Sequence, residues 1–219
     1  WGAKVKNDGL GGTTDKGEVR VGGSTYNHGL KAGRIITDDA GKVLGADAPI
    51  NNHVWRVRKD WATADLSNDA ANYYAVGAGE VTAAQIDVVK DQYEYDWHNW
   101  PAAWGAPYDD VDGNDEYDPT IDIPGYPGAD QTMWTIANDV PLIVSDGTDG
   151  NALGDSIGYE RTAINLYGAD PIGIELQITL WGYAFGASDP LGNNIFKKAK
   201  MKYMGLPEMW YGSGQYGGT

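Results

Sequence analysis

The residues best equipped for chemistry in this sequence are oxygen donors crowded into one short run, Tyr108-Asp109-Asp110-Val111-Asp112-Gly113-Asn114-Asp115-Glu116-Tyr117-Asp118. Asp110, Asp112, Asn114, Glu116 and Asp118 occupy alternate positions. A chain coiling around a cation presents alternate residues to it, and at the place of Glu116 such loops use the backbone carbonyl. Asp122 lies one residue beyond the usual closing acid and could complete the ~6–8 oxygens that Ca²⁺ accepts. Two positions depart from an EF-hand: Asp115 stands where the sharp turn normally takes Gly, and Ile121 where a bidentate Glu closes the shell. The expectation is therefore an irregular Ca²⁺ cage formed by Asp110, Asp112, Asn114, Glu116, Asp118 and Asp122. A solvated acidic turn is the alternative, but six carboxylates between Asp109 and Asp118 repel one another without a cation. The related cluster Asp146-Gly147-Thr148-Asp149-Gly150-Asn151 with Asp155 has less regular spacing and reads as a surface loop.

Other chemistry is weaker. Trp97, Trp100 and Trp104 could present a platform to sugar rings, although tryptophans of this kind are also common core plugs when the indole N–H finds a partner. His28, His53 and His98 stand singly, without metal-ligand spacing. No Gly-x-Ser-x-Gly elbow sits in a strand-to-helix context, and Gly-x-Gly-x-x-Gly is absent. Paired carboxylates for glycoside hydrolysis are defined by their separation in space, which a chain with 31 acids satisfies too easily by accident.

These residues have to be held by neighbouring elements. Upstream, Thr82 and Gln85 have capping-box spacing, and Ile86, Val89, Tyr93, Trp97 and Trp100 recur every three or four residues. The pattern predicts a helix over about 83–97, stopped by Pro101. Short strands are predicted at Glu18 to Val21, Arg34 to Thr37 and His53 to Arg58, the last alternating Trp55 and Val57 with Arg56 and Arg58. Further strands are expected at Gln131 to Ile136, Ile157 to Leu166, Ile172 to Ala184 and Asn194 to Tyr203, with Tyr167 to Pro171 as a turn. The fold class expected is mainly β, an antiparallel β-sandwich with one helix and long Gly- and Asp-rich loops. One domain over 1–210 would carry the helix and acidic loop as an insertion at 82–130, and 211–219 would form a flexible Gly/Tyr tail.

Composition narrows the setting. A net charge of −15 over 219 residues disfavours nucleic acid and anionic membrane surfaces and favours cations. Cysteine is absent, so disulfides and thiolate metal sites are excluded, and the loops must be stapled by packing or by a hard cation held by oxygen. Glycine, at 31 residues, is about twice the ~7% usual in globular proteins, and two Phe accompany 14 Tyr and nine Trp. No apolar run approaches the ~20 residues that span a bilayer, so no membrane insertion is expected. The chain opens at Trp1 without a leader-like stretch, and any export signal is expected upstream.

Several strings carry a likeness to known sequences: Trp1-Gly2-Ala3-Lys4-Val5, Val19 to Leu30, Trp55-Arg56-Val57-Arg58, Asp96 to Ala102, Gly105-Ala106-Pro107-Tyr108, and above all Ile123-Pro124-Gly125-Tyr126-Pro127-Gly128-Ala129-Asp130-Gln131-Thr132. Through them the chain resembles uncharacterised secreted bacterial proteins that often carry a C-terminal sorting domain of the type IX secretion system. The resemblance implies export and display or release at the cell surface, and brings no catalytic residues with it. The functional expectation is a non-enzymatic, Ca²⁺-stabilised extracellular structural protein that self-assembles into a homo-oligomer, surface layer or filament. A carbohydrate-binding module that recognises a polysaccharide is the first alternative, and a secreted glycan hydrolase the second.

Overall fold

The computed structural model describes residues 2–6, 17–21, 31–46, 53–139, 173–185 and 189–205. The strand expected at 157–166, the turn at 167–171, the acidic cluster at 146–155 and the tail at 211–219 lie outside these residues. The described chain is mostly strands: β1 (Gly2–Lys6), β2 (Gly17–Val21), β3 (Lys31–Ala32), β4 (Ile35–Thr37), β5 (Val43–Ala46), β6 (Trp55–Arg58), β7 (Tyr108–Asp109), β8 (Ile123–Pro124), β9 (Gln131–Asn138), β10 (Ile174–Gly182) and β11 (Phe196–Tyr203). Two α-helices join them, α1 (Ser67–Tyr74) and α2 (Ala83–His98). The principal sheet runs β11-β10-β9-β3, with β6 also paired to β9, and the β3–β9 and β6–β9 pairings are antiparallel. Three two-stranded ladders, β1–β2, β4–β5 and β7–β8, complete the described β-structure.

The chain divides into two compact units, one of 1–53, 136–176 and 200–219, the other of 54–135 and 177–199. In the first, Ile35 and Val43 on the bulged β4–β5 ladder are buried, and Met204 packs against them. A buried carboxylate serves this unit: Glu175 accepts the Ile35 N–H at 3.1 Å and lies 3.7 Å from the Lys202 ammonium. Asn138, also buried, donates its side-chain N–H to the Gly33 carbonyl at 2.8 Å. Both arrangements satisfy polar groups that would otherwise be costly to remove from water.

The second unit holds the acidic loop. Alternation in β6 buries Trp55 and Val57, which face Trp134 and Thr132 across the β6–β9 ladder. Helix α2 forms as its sequence indicates, because the Thr82 hydroxyl accepts the Gln85 N–H at 3.3 Å while the Gln85 side chain accepts the Thr82 N–H at 2.9 Å. Val89 and Tyr93 on its inner face join Leu66 and Ala70 of the α1 region in a core flanked by Trp61, Tyr74 and Ile86. Asp96 is fully buried one turn further on, and accepts the Arg56 N–H of β6 at 2.7 Å and the Gln92 side-chain N–H at 3.0 Å. An inward-facing carboxylate thus ties helix to strand.

Helix α1 was not expected. Its N-cap, Leu66, makes no side-chain cap bond, and its C-cap is Ala75 at φ 52°, a left-handed position usually given to glycine. The acid that serves its start, Asp65, sits one residue before the N-cap and accepts the Ser67 N–H at 3.0 Å, and its end lacks the usual glycine.

Candidate metal centre

The acidic loop is fixed at its neck and along the helix. At the neck, β7 and β8 pair antiparallel, Tyr108 with Pro124 and Asp109 with Ile123. Two indoles hold the flanks: Trp100 donates to the Pro107 carbonyl at 2.8 Å, and Trp97 to the Pro119 carbonyl at 3.1 Å. The Tyr117 hydroxyl returns to the Trp97 carbonyl at 2.5 Å. Every one of these bonds reaches the terminal turns of α2 or the residues just after it, so the helix end is the platform on which the loop is built.

Within the loop, carboxylates collect backbone N–H groups. Asp110 accepts from Gly113 at 2.8 Å, from Asn114 at 3.2 Å and from Asp115 at 2.9 Å. Asp122, only 2% exposed, accepts from Val111 at 2.9 Å with one oxygen and from Asp118 at 2.8 Å with the other. Oxygens of Asp110, Asp112 and Asp122 all lie within 4.8 Å of one another, and these three residues could hold a metal ion. Their donors are all oxygen, the set suited to a hard cation.

The expected cage is met in part. The Asp118 carboxylate is not part of this group. Asp118 turns one oxygen to the Thr120 N–H at 2.8 Å and hydroxyl at 2.6 Å. The Asn114 side chain is engaged locally, its oxygen accepting the Glu116 N–H at 2.6 Å and its amide donating to Asp112 at 3.0 Å. Asp122 belongs to the group even though it lies one residue late for an EF-hand. The sixth loop position is also informative: Asp115 adopts φ 62°, the left-handed turn that glycine ordinarily supplies there. Aspartate is among the few non-glycine residues that tolerate this conformation. The substitution that separates the sequence from an EF-hand therefore leaves the sharp turn intact.

The local field is negative. The three backbone donors, Asp115 foremost, hold the Asp110 carboxyl below the usual range. The Asp118 carboxyl is lowered by its bonds to Thr120. Tyr117 is shifted upward by burial and then by Asp122 and Asp118, and Tyr108 upward by loss of solvent and then by Asp110, Asp115, Asp122 and Asp112. N–H dipoles stabilise the carboxylates, but among the described contacts of the cluster no Lys or Arg side chain cancels their charge.

The tryptophans expected as a sugar platform are placed otherwise. Trp100 is 4% exposed, and the N–H groups of Trp97 and Trp100 are both engaged by the loop. Trp104 is half-buried, meets Trp55 edge to face at 6.2 Å, and gives its carbonyl to the Gln177 side chain at 2.8 Å. Trp97 and Trp100 brace the junction between α2 and the loop, whereas Trp104 packs against Trp55 and Gln177.

The sequence matches no family model, and no curated protein or solved structure matches it either. None of the described helices is long and apolar enough to cross a membrane.

Proposed function

We propose that the protein is a non-enzymatic extracellular structural module, an antiparallel β-sandwich stabilised by Ca²⁺ and assembling with copies of itself at a surface or in a filament. The observation that carries this reading is the convergence of Asp110, Asp112 and Asp122, with Asp115 in the turn conformation a cation-binding loop requires. Ca²⁺ is favoured over Mg²⁺ because the loop is irregular and rich in oxygen, and Ca²⁺ tolerates variable geometry where Mg²⁺ demands a near-ideal octahedron. Asn114, the Glu116 carbonyl and Asp118 flank the three carboxylates and are the candidates to complete the shell.

The work of the ion would be structural: it cancels the repulsion among the carboxylates and locks the connection between α2 and β9. Self-assembly is supported by β11, which ends the sheet order and is exposed from Lys197 to Met201. Lys197, Lys198 and Lys200 make this a basic strip on a chain of net charge −15, complementary to the acidic loop of a neighbour. Lysines on an outer strand also discourage pairing with an identical strand, which favours head-to-tail contact.

Two measurements test the reading together. Thermal unfolding in Ca²⁺ should shift upward relative to EGTA, by the equivalent of about 2.7 kcal/mol at a free Ca²⁺ of 100 times Kd. Light scattering in Ca²⁺ should report a mass above that of one chain. A melting temperature and a monomeric mass both indifferent to chelation would overturn the proposal.

A further inference from the structure

The ends of three strands meet at a second place in the same compact unit. Arg58 closes β6, Gln131 opens β9 and Gly182 closes β10, and a cleft of about 360 Å³ lies among them, walled on its far side by Gly192 and Asn194. Asp130 fastens these ends. Its N–H donates to the Gly182 carbonyl at 3.0 Å, its carbonyl accepts the Lys59 N–H at 3.0 Å, and its carboxylate accepts the Ala184 N–H at 2.8 Å. The far wall approaches closely. A Cβ on Gly192 would stand 2.5 Å from the Phe185 carbonyl oxygen, so only glycine permits this approach.

The lining combines one aromatic ring with fixed polar groups. Tyr183 lines the cleft half-buried, one side of its ring stacked on Phe185 at 5.5 Å and the ring edge-to-face with Phe196 at 5.8 Å. Arg58 is immobilised, with Nε and Nη2 on the two oxygens of Asp60 at 2.7 and 3.1 Å and Nη1 on Asp69 at 2.7 Å. The lining cations, Arg58 and Lys59, are balanced by the lining anions, Asp60 and Asp130. The cleft is therefore close to neutral on a strongly acidic chain, and it has the size of a small-ligand site.

From this combination we infer that the Tyr183 cleft is a binding site for neutral saccharide units of a polymeric glycan. An aromatic ring packs against the C–H face of a pyranose, while fixed carboxylates, an amide and a guanidinium satisfy its hydroxyls in both directions as donors and acceptors. A charge-balanced lining selects against phosphorylated or uronic ligands, which would leave a charge uncompensated. Its rigidity limits the ordering cost of binding. The site is independent of the acidic loop, and it gives a surface module a way to hold a polysaccharide without cleaving it.

The test is saturation-transfer difference NMR and titration calorimetry with cello-, xylo-, manno- and chito-hexasaccharides. At least one should bind the intact chain, with Kd unchanged between Ca²⁺ and EGTA below the melting transition. Tyr183→Ala should raise that Kd at least tenfold, whereas Tyr183→Phe, which keeps the ring, should stay within about threefold. An unchanged melting temperature would show that Tyr183→Ala remains folded, and if it does not, Lys59→Glu at the rim supplies the second perturbation and should weaken binding several-fold. No binding to any of the four, binding unaltered in the variants, or uptake of an apolar peptide library in place of sugars would overturn the inference.

Discussion

Two carboxylate clusters within one compact unit solve the same electrostatic problem differently. Around Arg58, Asp60 and Asp69 are bonded directly to a guanidinium, and Tyr93 links Asp69 to Gln131 through a hydroxyl that donates at 2.8 Å and accepts at 3.0 Å. In the acidic loop, Asp110, Asp112 and Asp122 bring oxygens within 4.8 Å of one another, and their described partners are peptide N–H groups and an asparagine amide. Two unit charges 4.8 Å apart repel by about 1 kcal/mol in bulk water and by about 3 kcal/mol at the effective dielectric of a protein surface. Hydrogen bonds to N–H dipoles stabilise each carboxylate but leave that repulsion in place. The Arg58 cluster carries its own counter-charge, and the acidic loop is a place where a cation could supply one. The difference teaches that carboxylate proximity has to be read together with the cationic side chains around it: the Arg58 cluster contains one, and the described contacts of the acidic loop do not.

Removing the deepest loop carboxylate should separate the two clusters most strongly. Asp122→Ala leaves the Val111 and Asp118 N–H groups without their acceptor, and two charge-assisted bonds of this kind amount to roughly 3 kcal/mol of unfolding free energy by urea titration. The loss should be smaller in EGTA than in Ca²⁺, because without the ion the substitution also relieves repulsion. Equal losses in both media would place the loop with the Arg58 cluster as already balanced.

The converse change is Arg58→Met, which strands Asp60 and Asp69. Both pairs are partly solvated, so the expected loss is about 1–2 kcal/mol, below that of a fully buried pair, and it should be the same with and without Ca²⁺. A Ca²⁺-dependent loss here would mean the ion acts outside the loop. The smallest effect tests the turn: Asp115→Gly removes the cost of a side chain at φ 62° and should stabilise by at most about 1 kcal/mol, whereas Asp115→Ala should destabilise. Differential scanning calorimetry resolves both signs.

Much of this framework was legible from residues that act locally. The Thr82–Gln85 box, the Trp55/Val57 alternation and the spacing of Asp110, Asp112 and Asp122 are short-range patterns, and each led to the element or group found. Helix α1 was missed because it is only eight residues long, its acid Asp65 stands one residue before the N-cap, and Ala75 ends it where glycine is usual, so packing of Leu66 and Ala70 against Val89 and Tyr93 has to define it. Spacing also says nothing of Thr120, whose N–H and hydroxyl engage one oxygen of the Asp118 carboxylate. The Tyr183 cleft was out of reach for another reason. It is assembled from the ends of β6, β9 and β10, and no local pattern records that three distant segments finish side by side.

The anchoring of the acidic loop also has a mechanical meaning. Tension arriving along the chain meets the β7–β8 neck and the Trp100 indole bond before it reaches residues 110–122, and the Trp97 indole bond to Pro119 within them. Those residues are tied mainly by hydrogen bonds to one another and to the end of α2. Once the anchors yield, they can pay out roughly 40 Å of contour before the next element is loaded. A bound cation would stitch them into a coil, so the extension at which the module lengthens would be set by the ionic composition of its surroundings.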